Sequence, residues 1–119
     1  MNEGQIVLSE LSQRVLASDF EWTAFRPGVD IHRLYGDGQS GPAAALLHYE
    51  AGAAIPYHRH QGYEHIFILH GTQVDHRGTH RAGTLVVNLP GTGHEVRSPD
   101  GCVVLVIWER RVDFPSCAG

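Results

Sequence analysis

The sequence has no cluster of basic residues, no CxxC pair and no apolar stretch long enough to cross a bilayer. Each absence removes a class of function. With 119 residues and a formal net charge of −4, the chain offers no concentrated positive field for phosphate, which excludes a nucleic-acid partner. Its longest apolar run, Val103 to Trp108, is far too short for a membrane span. The opening Met1-Asn2-Glu3-Gly4 lacks the basic segment and apolar core of a secretory leader. The expectation is a soluble, cytoplasmic protein. Two cysteines, Cys102 and Cys117, make no disulfide framework. Cys102 reads as a small buried apolar residue and Cys117 as a thiol on a loose tail. Charged residues are only 18% and apolar residues 42%, a composition that folds.

Helical periodicity is also missing after Asp19. Residues Gln5 to Leu16 fit either a short helix or an arm strand. Beyond them, turn signals recur: Pro27-Gly28, Gly36-Asp37-Gly38, Gly52, Gly62, Gly71, Arg77-Gly78, Gly83, Pro90-Gly91 and Pro99-Asp100-Gly101. Between them lie short strand-favouring runs at Val29–Tyr35, Ala44–Tyr49, Glu64–His70, Thr84–Leu89 and Cys102–Trp108. Many short strands with regular turns predict an all-β sandwich or barrel. One domain is expected over 1–119, with an N-terminal arm at 1–17 and a C-terminal tail at 112–119 that frays from Phe114. Cys102 to Trp108 is apolar at every position, where a half-exposed strand would alternate. Either both its faces are covered within the chain or one packs on a second copy. A homodimer is therefore expected.

What the chain has in excess is histidine, nine residues, and some are organised. His58 and His60 sit at i and i+2, so on a strand both point to one face, about 6.5–7 Å apart. Gln61-Gly62 supplies a turn that lets Glu64 return beside them. His94 follows the tight turn Pro90-Gly91-Thr92-Gly93 and completes a four-ligand set. Three neutral imidazoles and one carboxylate suit a divalent ion such as Fe, Mn, Ni, Cu or Zn. On an octahedral ion they leave two positions open, whereas a tetrahedral zinc is saturated by the same four. A lone HxH is a weak signal; this longer pattern with set gaps is a strong one.

Gly52 to Gly71 resembles the first cupin motif: a glycine, five residues, HxH, three residues, Glu, six residues, Gly. Gly83 to His94 resembles the second, with Pro90 one place later than the common pattern and Ser98 where Asn often ends the motif. More narrowly, the chain is similar to the ChrR-like cupins, related to the C-terminal domain of a zinc-dependent anti-sigma factor. The short link between motifs, Gly71-Thr-Gln-Val-Asp75-His-Arg-Gly78 and Ser98-Pro-Asp-Gly101-Cys102 carry that likeness. The resemblance implies a small jelly-roll (double-stranded β-helix) barrel with one divalent metal on His58, His60, Glu64 and His94, and a small-molecule ligand inside. The anti-sigma factor binds its sigma factor through a separate helical zinc domain. These 119 residues hold no such pattern, so sigma-factor binding is not carried over.

The other histidines read less sharply. His70 lies about 20 Å along the strand from Glu64, out of reach of the same ion. His76 and His80 flank a hairpin tip and read as an exposed loop. His65 points away from the metal, His48 lies on the barrel wall, and His32 has no assigned place. Arg59 and Glu95 alternate with ligands and face outward. Trp22, Trp108, Tyr49 and Tyr63 suit an apolar wall or plain core. Three readings stand: a metal-dependent binding or sensing module, a dioxygenase-type oxidoreductase or isomerase acting on a small organic acid or diketone, and a structural metal site. No catalytic acid or base is assigned.

Overall fold

The computed structural model describes residues 4–17 and 19–115. A short helix, α1 (Leu11–Leu16), precedes ten strands: β1 (Thr23–Arg26), β2 (Val29–Tyr35), β3 (Ala43–Tyr49), β4 (Ala53–His60), β5 (Glu64–Asp75), β6 (Gly78–Arg81), β7 (Leu85–Asn88), β8 (Gly93–Ser98), β9 (Cys102–Trp108) and β10 (Val112–Asp113). All pairings are antiparallel, in the order β1-β2-β3-β9-β5-β8-β4-β10, with β6 and β7 also on β5. The sheet curls on itself as a jelly-roll half-barrel, as expected. Among the described residues no helix is long and apolar enough to cross a membrane.

β5 is the strand that turns one sheet into two. Its first half pairs with β7 and β9, its second half with β6 and β8. The ladder with β9 slips between Ile68 and His70. Such a bulge bends a strand and reverses which side chains point inward. Glu64, Ile66 and Ile68 are buried before it, Gln73 after it. The run expected over Glu64–His70 continues past Gly71 to Asp75, and His70 is exposed, away from the cluster as expected. Gly71 is a bend rather than a turn. Its φ of +78° suits glycine, and a Cβ there would run into the Gly101 carbonyl.

Two apolar layers result. The inner core joins Val29, Ile31, Leu47, Ile66, Val104 and Val106 with their neighbours. A smaller outer cluster packs Val15 of α1 and Phe20 over Leu46 and Val103, with Leu11, Trp22 and Leu105 beside them. Part of the N-terminal segment is thus a short helix, with Leu11 and Val15 one turn apart on the face toward the sheet and Leu8, ahead of the helix, packed beside them. It covers the outward side of Val103, so both faces of β9 are largely buried within the chain, and Ile107 is left open. Part of the expected C-terminal tail is ordered: Val112 and Asp113 pair with β4, and Phe114, where fraying was expected to begin, packs on the inner core. Cys117 lies outside the described residues.

Candidate metal centre

β4 and β8 run side by side with His58 opposite His94. The pairing slips between Ile55 and His58, where Pro56 has no N–H to give a ladder. Inward phase therefore moves from Ile55 to His58 and His60, both buried. Glu64 opens β5 across the Gln61-Gly62 bend and is buried too. At the start of β8, a Cβ on Gly93 would collide with the Tyr57 ring, so glycine lets the two strands close over His94. The four residues named from the sequence meet: one ligand atom from each lies within 4.8 Å of the others.

The hydrogen bonds around the cluster fix how the imidazoles face. His58 Nδ1 donates to the Pro56 carbonyl at 2.9 Å. Thr92 Oγ1 spends its own proton on the Leu89 carbonyl at 2.6 Å, so it accepts from His60 Nδ1 at 3.0 Å. His94 Nδ1 donates to Asp75 Oδ2 at 3.2 Å. With all three protons on Nδ1, each Nε2 carries a lone pair. His60 Nε2 lies 3.0 Å from Glu64 Oε1 and His94 Nε2 lies 3.7 Å from it. Both nitrogens are buried and make no hydrogen bond. Lone pairs facing a carboxylate in a dry pocket are repulsive unless a cation sits between them. The donor set and its outward-bonded second layer fit a divalent ion.

Glu64 is held from behind as well. Its Oε1 accepts from Asn88 Nδ2 at 3.0 Å and its Oε2 from Trp108 Nε1 at 2.7 Å. Burial works against its charge, but a proton shared with the adjoining His60 and His94 rings outweighs burial and would keep the carboxyl well below its ordinary range, the same stabilisation a cation between them would give. Burial pushes His58 below the usual imidazole range. Burial also pushes His94 down, yet Glu64 and Asp75 beside it outweigh that and raise it. Asp75 is part of a chain, for its Oδ1 takes His80 Nε2 at 2.9 Å and the Arg77 N–H at 2.9 Å. His80, expected as exposed loop, is half-buried and engaged; His76 is exposed.

The remaining histidines sit away from the cluster. His32 and His48 pack against Trp22 on the outer face, with ring centroids 6.3 and 5.6 Å away, and His70 lines the same outer groove. Arg59 and Glu95 face outward as expected. Tyr49 and Trp108 do line the chamber beside the cluster, with Ile55, Ile66, Val96 and Val104, whereas Tyr63 is exposed. The chamber measures about 30 Å³, room for one water-sized occupant. Its polar lining beyond the cluster is Tyr49 and Gln73, joined at 3.3 Å. Phe25, Trp108, Val112 and Phe114 separate it from an outer vestibule of about 300 Å³. Sequence reasoning missed Asp75, Thr92, Asn88 and Pro56, whose part is visible only once the strands are registered.

A family model described as the ChrR cupin-like domain matches residues 12–111. No curated protein matches the sequence. Among solved structures, an acetylacetone dioxygenase from Acinetobacter johnsonii superposes with a TM-score of 0.76 at 16% identity, over 100% of this chain and 82% of that one. The anti-sigma ChrR of Rhodobacter sphaeroides, solved with SigE, gives 0.67 at 22% identity, over 88% and 69%. A protein with a cupin-like fold from Ralstonia eutropha JMP134 gives 0.67 at 21%, over 75% of this chain and 60% of that one. The chain thus spans about three-fifths of the Ralstonia protein's length. At such identities the likeness speaks for the fold.

Proposed function

The chain belongs to the ChrR cupin-like family, and from that premise we propose that it binds one divalent metal ion through His58, His60, Glu64 and His94 and presents it to a small oxygen-bearing ligand in the barrel, in a sensing or regulatory role. The observation that carries this is the common tautomer: three Nδ1 protons turned outward, with the Nε2 lone pairs of His60 and His94 at 3.0 and 3.7 Å from one carboxylate oxygen and His58 in the same cluster. Bound there, a divalent ion supplies Lewis acidity, polarising an oxygen of whatever enters. Glu64 alone offsets the ion's charge, so the site keeps about one positive charge in an apolar chamber, where attraction to an oxygen anion is little screened. Protein purified without added metal is expected to carry close to one divalent ion per chain by elemental analysis. Equal metal in the His58→Ala/His60→Ala double variant defeats the assignment.

Binding is favoured over acid–base catalysis by the chamber lining. Tyr49 is its titratable group beyond the cluster among the described residues, and burial raises its hydroxyl well above the phenolic range, where it holds its proton at neutral pH. The second reading, a dioxygenase acting on a small diketone or organic acid, draws on the acetylacetone dioxygenase that superposes over the whole chain. Oxygen uptake by the iron-loaded protein with such substrates separates the two: uptake establishes the enzyme, ligand binding without uptake the binding module.

We also propose that two copies associate. Leu85, Val87 and Ile107 are 56%, 42% and 38% exposed on the outward side of β7, β5 and β9, beyond the part that α1 covers.

A further inference from the structure

The vestibule outside the metal chamber is lined by three arginines and two aspartates: Arg26, Arg33, Arg111, Asp37 and Asp113. Three of these have partners in contact, and Arg33 lies at longer range from Asp37. Asp37 takes the Gln39 and Ser40 N–H groups, with Arg33 near enough to add a smaller attraction. Asp113 takes Gln61 Nε2 at 2.7 Å and lies 3.9 Å from Arg111 Nε. Arg26 is left over. It makes no ion pair among the described residues, and its Nε is buried with no hydrogen-bond partner.

A bulge places it there. The β1–β2 ladder slips between Ala24 and Arg26, so that two successive residues, Phe25 and Arg26, line the same cavity. The guanidinium carbon stands 3.9 Å from the centroid of the Phe114 ring. The same ring lies 5.4 Å from the His58 ring. One aromatic ring therefore separates an unpaired cation from the metal cluster.

We propose that the vestibule selects a small organic carboxylate, its acid group paired with Arg26 and its other, oxygen-bearing end directed past Phe114 toward the metal. This rests on the metal-centre reading above and narrows its ligand to the acids. The guanidinium offers paired N–H donors in a fork that matches the two oxygens of one carboxylate. Asp37 and Asp113 disfavour a doubly charged phosphate in the same space, because like charges there repel it. The aromatic walls suit an apolar body between the two polar ends.

The test uses 4-oxopentanoate and 2-pentanone, which share a methyl ketone and a two-carbon spacer and differ only in whether that spacer ends in an acid or a methyl group. Calorimetric affinities are measured on zinc-loaded protein of known metal content, for wild type, Arg26→Gln and Arg26→Met. The methionine keeps an unbranched stem against Phe114 should glutamine disturb folding. Wild type is expected to bind the acid at least about tenfold tighter than the ketone, and either variant to bring that ratio near one while keeping its metal. Equal affinities in wild type, or an unchanged ratio in a folded variant, overturn the inference. The same preference persists in metal-stripped protein, because Arg26 is not a ligand. Wild type that takes up no zinc yet shows an Arg26-dependent preference refutes the metal centre and keeps this inference; zinc-loaded protein without a preference does the reverse.

Discussion

At the scale of single residues, the proposed centre divides into the residues that would touch an ion and those that aim them. The buried cluster was legible in the sequence because its spacing maps directly onto strand geometry: His58 and His60 in phase, Glu64 after a bend. Asp75 and Thr92 were not, because each meets its histidine across strands, and nothing local couples residue 75 to residue 94 or 92 to 60. Their loss should nonetheless be felt at the metal. Asp75→Asn keeps the shape but removes the charge that fixes the His94 proton. Affinity for zinc, read by chelator competition, is expected to fall about 10- to 100-fold, with the fold retained. Unchanged affinity would assign Asp75 to the hairpin alone.

Cys102 shows a residue whose bland reading holds. It is buried, and burial pushes its thiol from 9.0 up to about 11. The native thiol therefore stays protonated at pH 8 to 9. In the Cys117→Ser protein it is expected to resist an aromatic disulfide reagent until the chain unfolds. The sign of the linked effect follows. Above pH 9 the unfolded chain loses this proton first, so stability declines as pH rises from about 9 toward 11. That decline should be smaller in Cys102→Ala with Cys117→Ser, measured by denaturant titration across that range. Prompt reaction of the folded thiol at pH 8 would contradict both statements.

At the scale of elements, apolar runs between turn signals located β2, β3, β5, β7 and β9 but could not show where a ladder slips. Both slips act alike: a bulge reverses inward and outward phase without changing composition. In β5 the strand bulges and runs on through Gly71, which the sequence marks as a turn, and in β1 the slip brings Phe25 and Arg26 into one cavity. Glycine and proline in this fold thus mark bends as much as turns, and only pairing tells them apart. Gly71 is the sharpest case, since φ is +78° and the Gly101 carbonyl occupies the place of a Cβ. Gly71→Ala should destabilise by about 2 kcal/mol or more, combining left-handed backbone strain with a backbone collision. Gly41→Ala, with a similar φ of +71° but open space, is expected to cost about 1 kcal/mol, the conformational part alone. Chemical denaturation of both variants separates the two contributions; equal losses would mean the collision relaxes.

At the scale of the whole molecule, the uniformly apolar β9 left two arrangements open in the sequence. Coverage inside the chain accounts for most of it, since Cys102, Val104, Val106 and Trp108 face the core and Val103 lies under the N-terminal helix. What stays open is the other end of the outer face, where Ile107 continues into Val87 across His65, and half-buried Leu105 into Leu85 across Phe67. Apolar rows on neighbouring strands beside an edge strand are where a second copy can add its own sheet face, and a twofold axis lets one patch serve both partners. The outward phase also names the residues to change: Ile107 and Val87, not the inward Val104 or Val106. Wild type is expected to scatter light as a dimer at micromolar concentration, and Ile107→Lys or Val87→Lys as a folded monomer with its metal content unchanged. A monomer mass for wild type removes the dimer, and a dimer that survives both lysines moves the contact to another face. Because the rows lie outside the barrel, neither substitution reaches the chamber, so metal retained in a monomer would mean that the centre is complete within one chain.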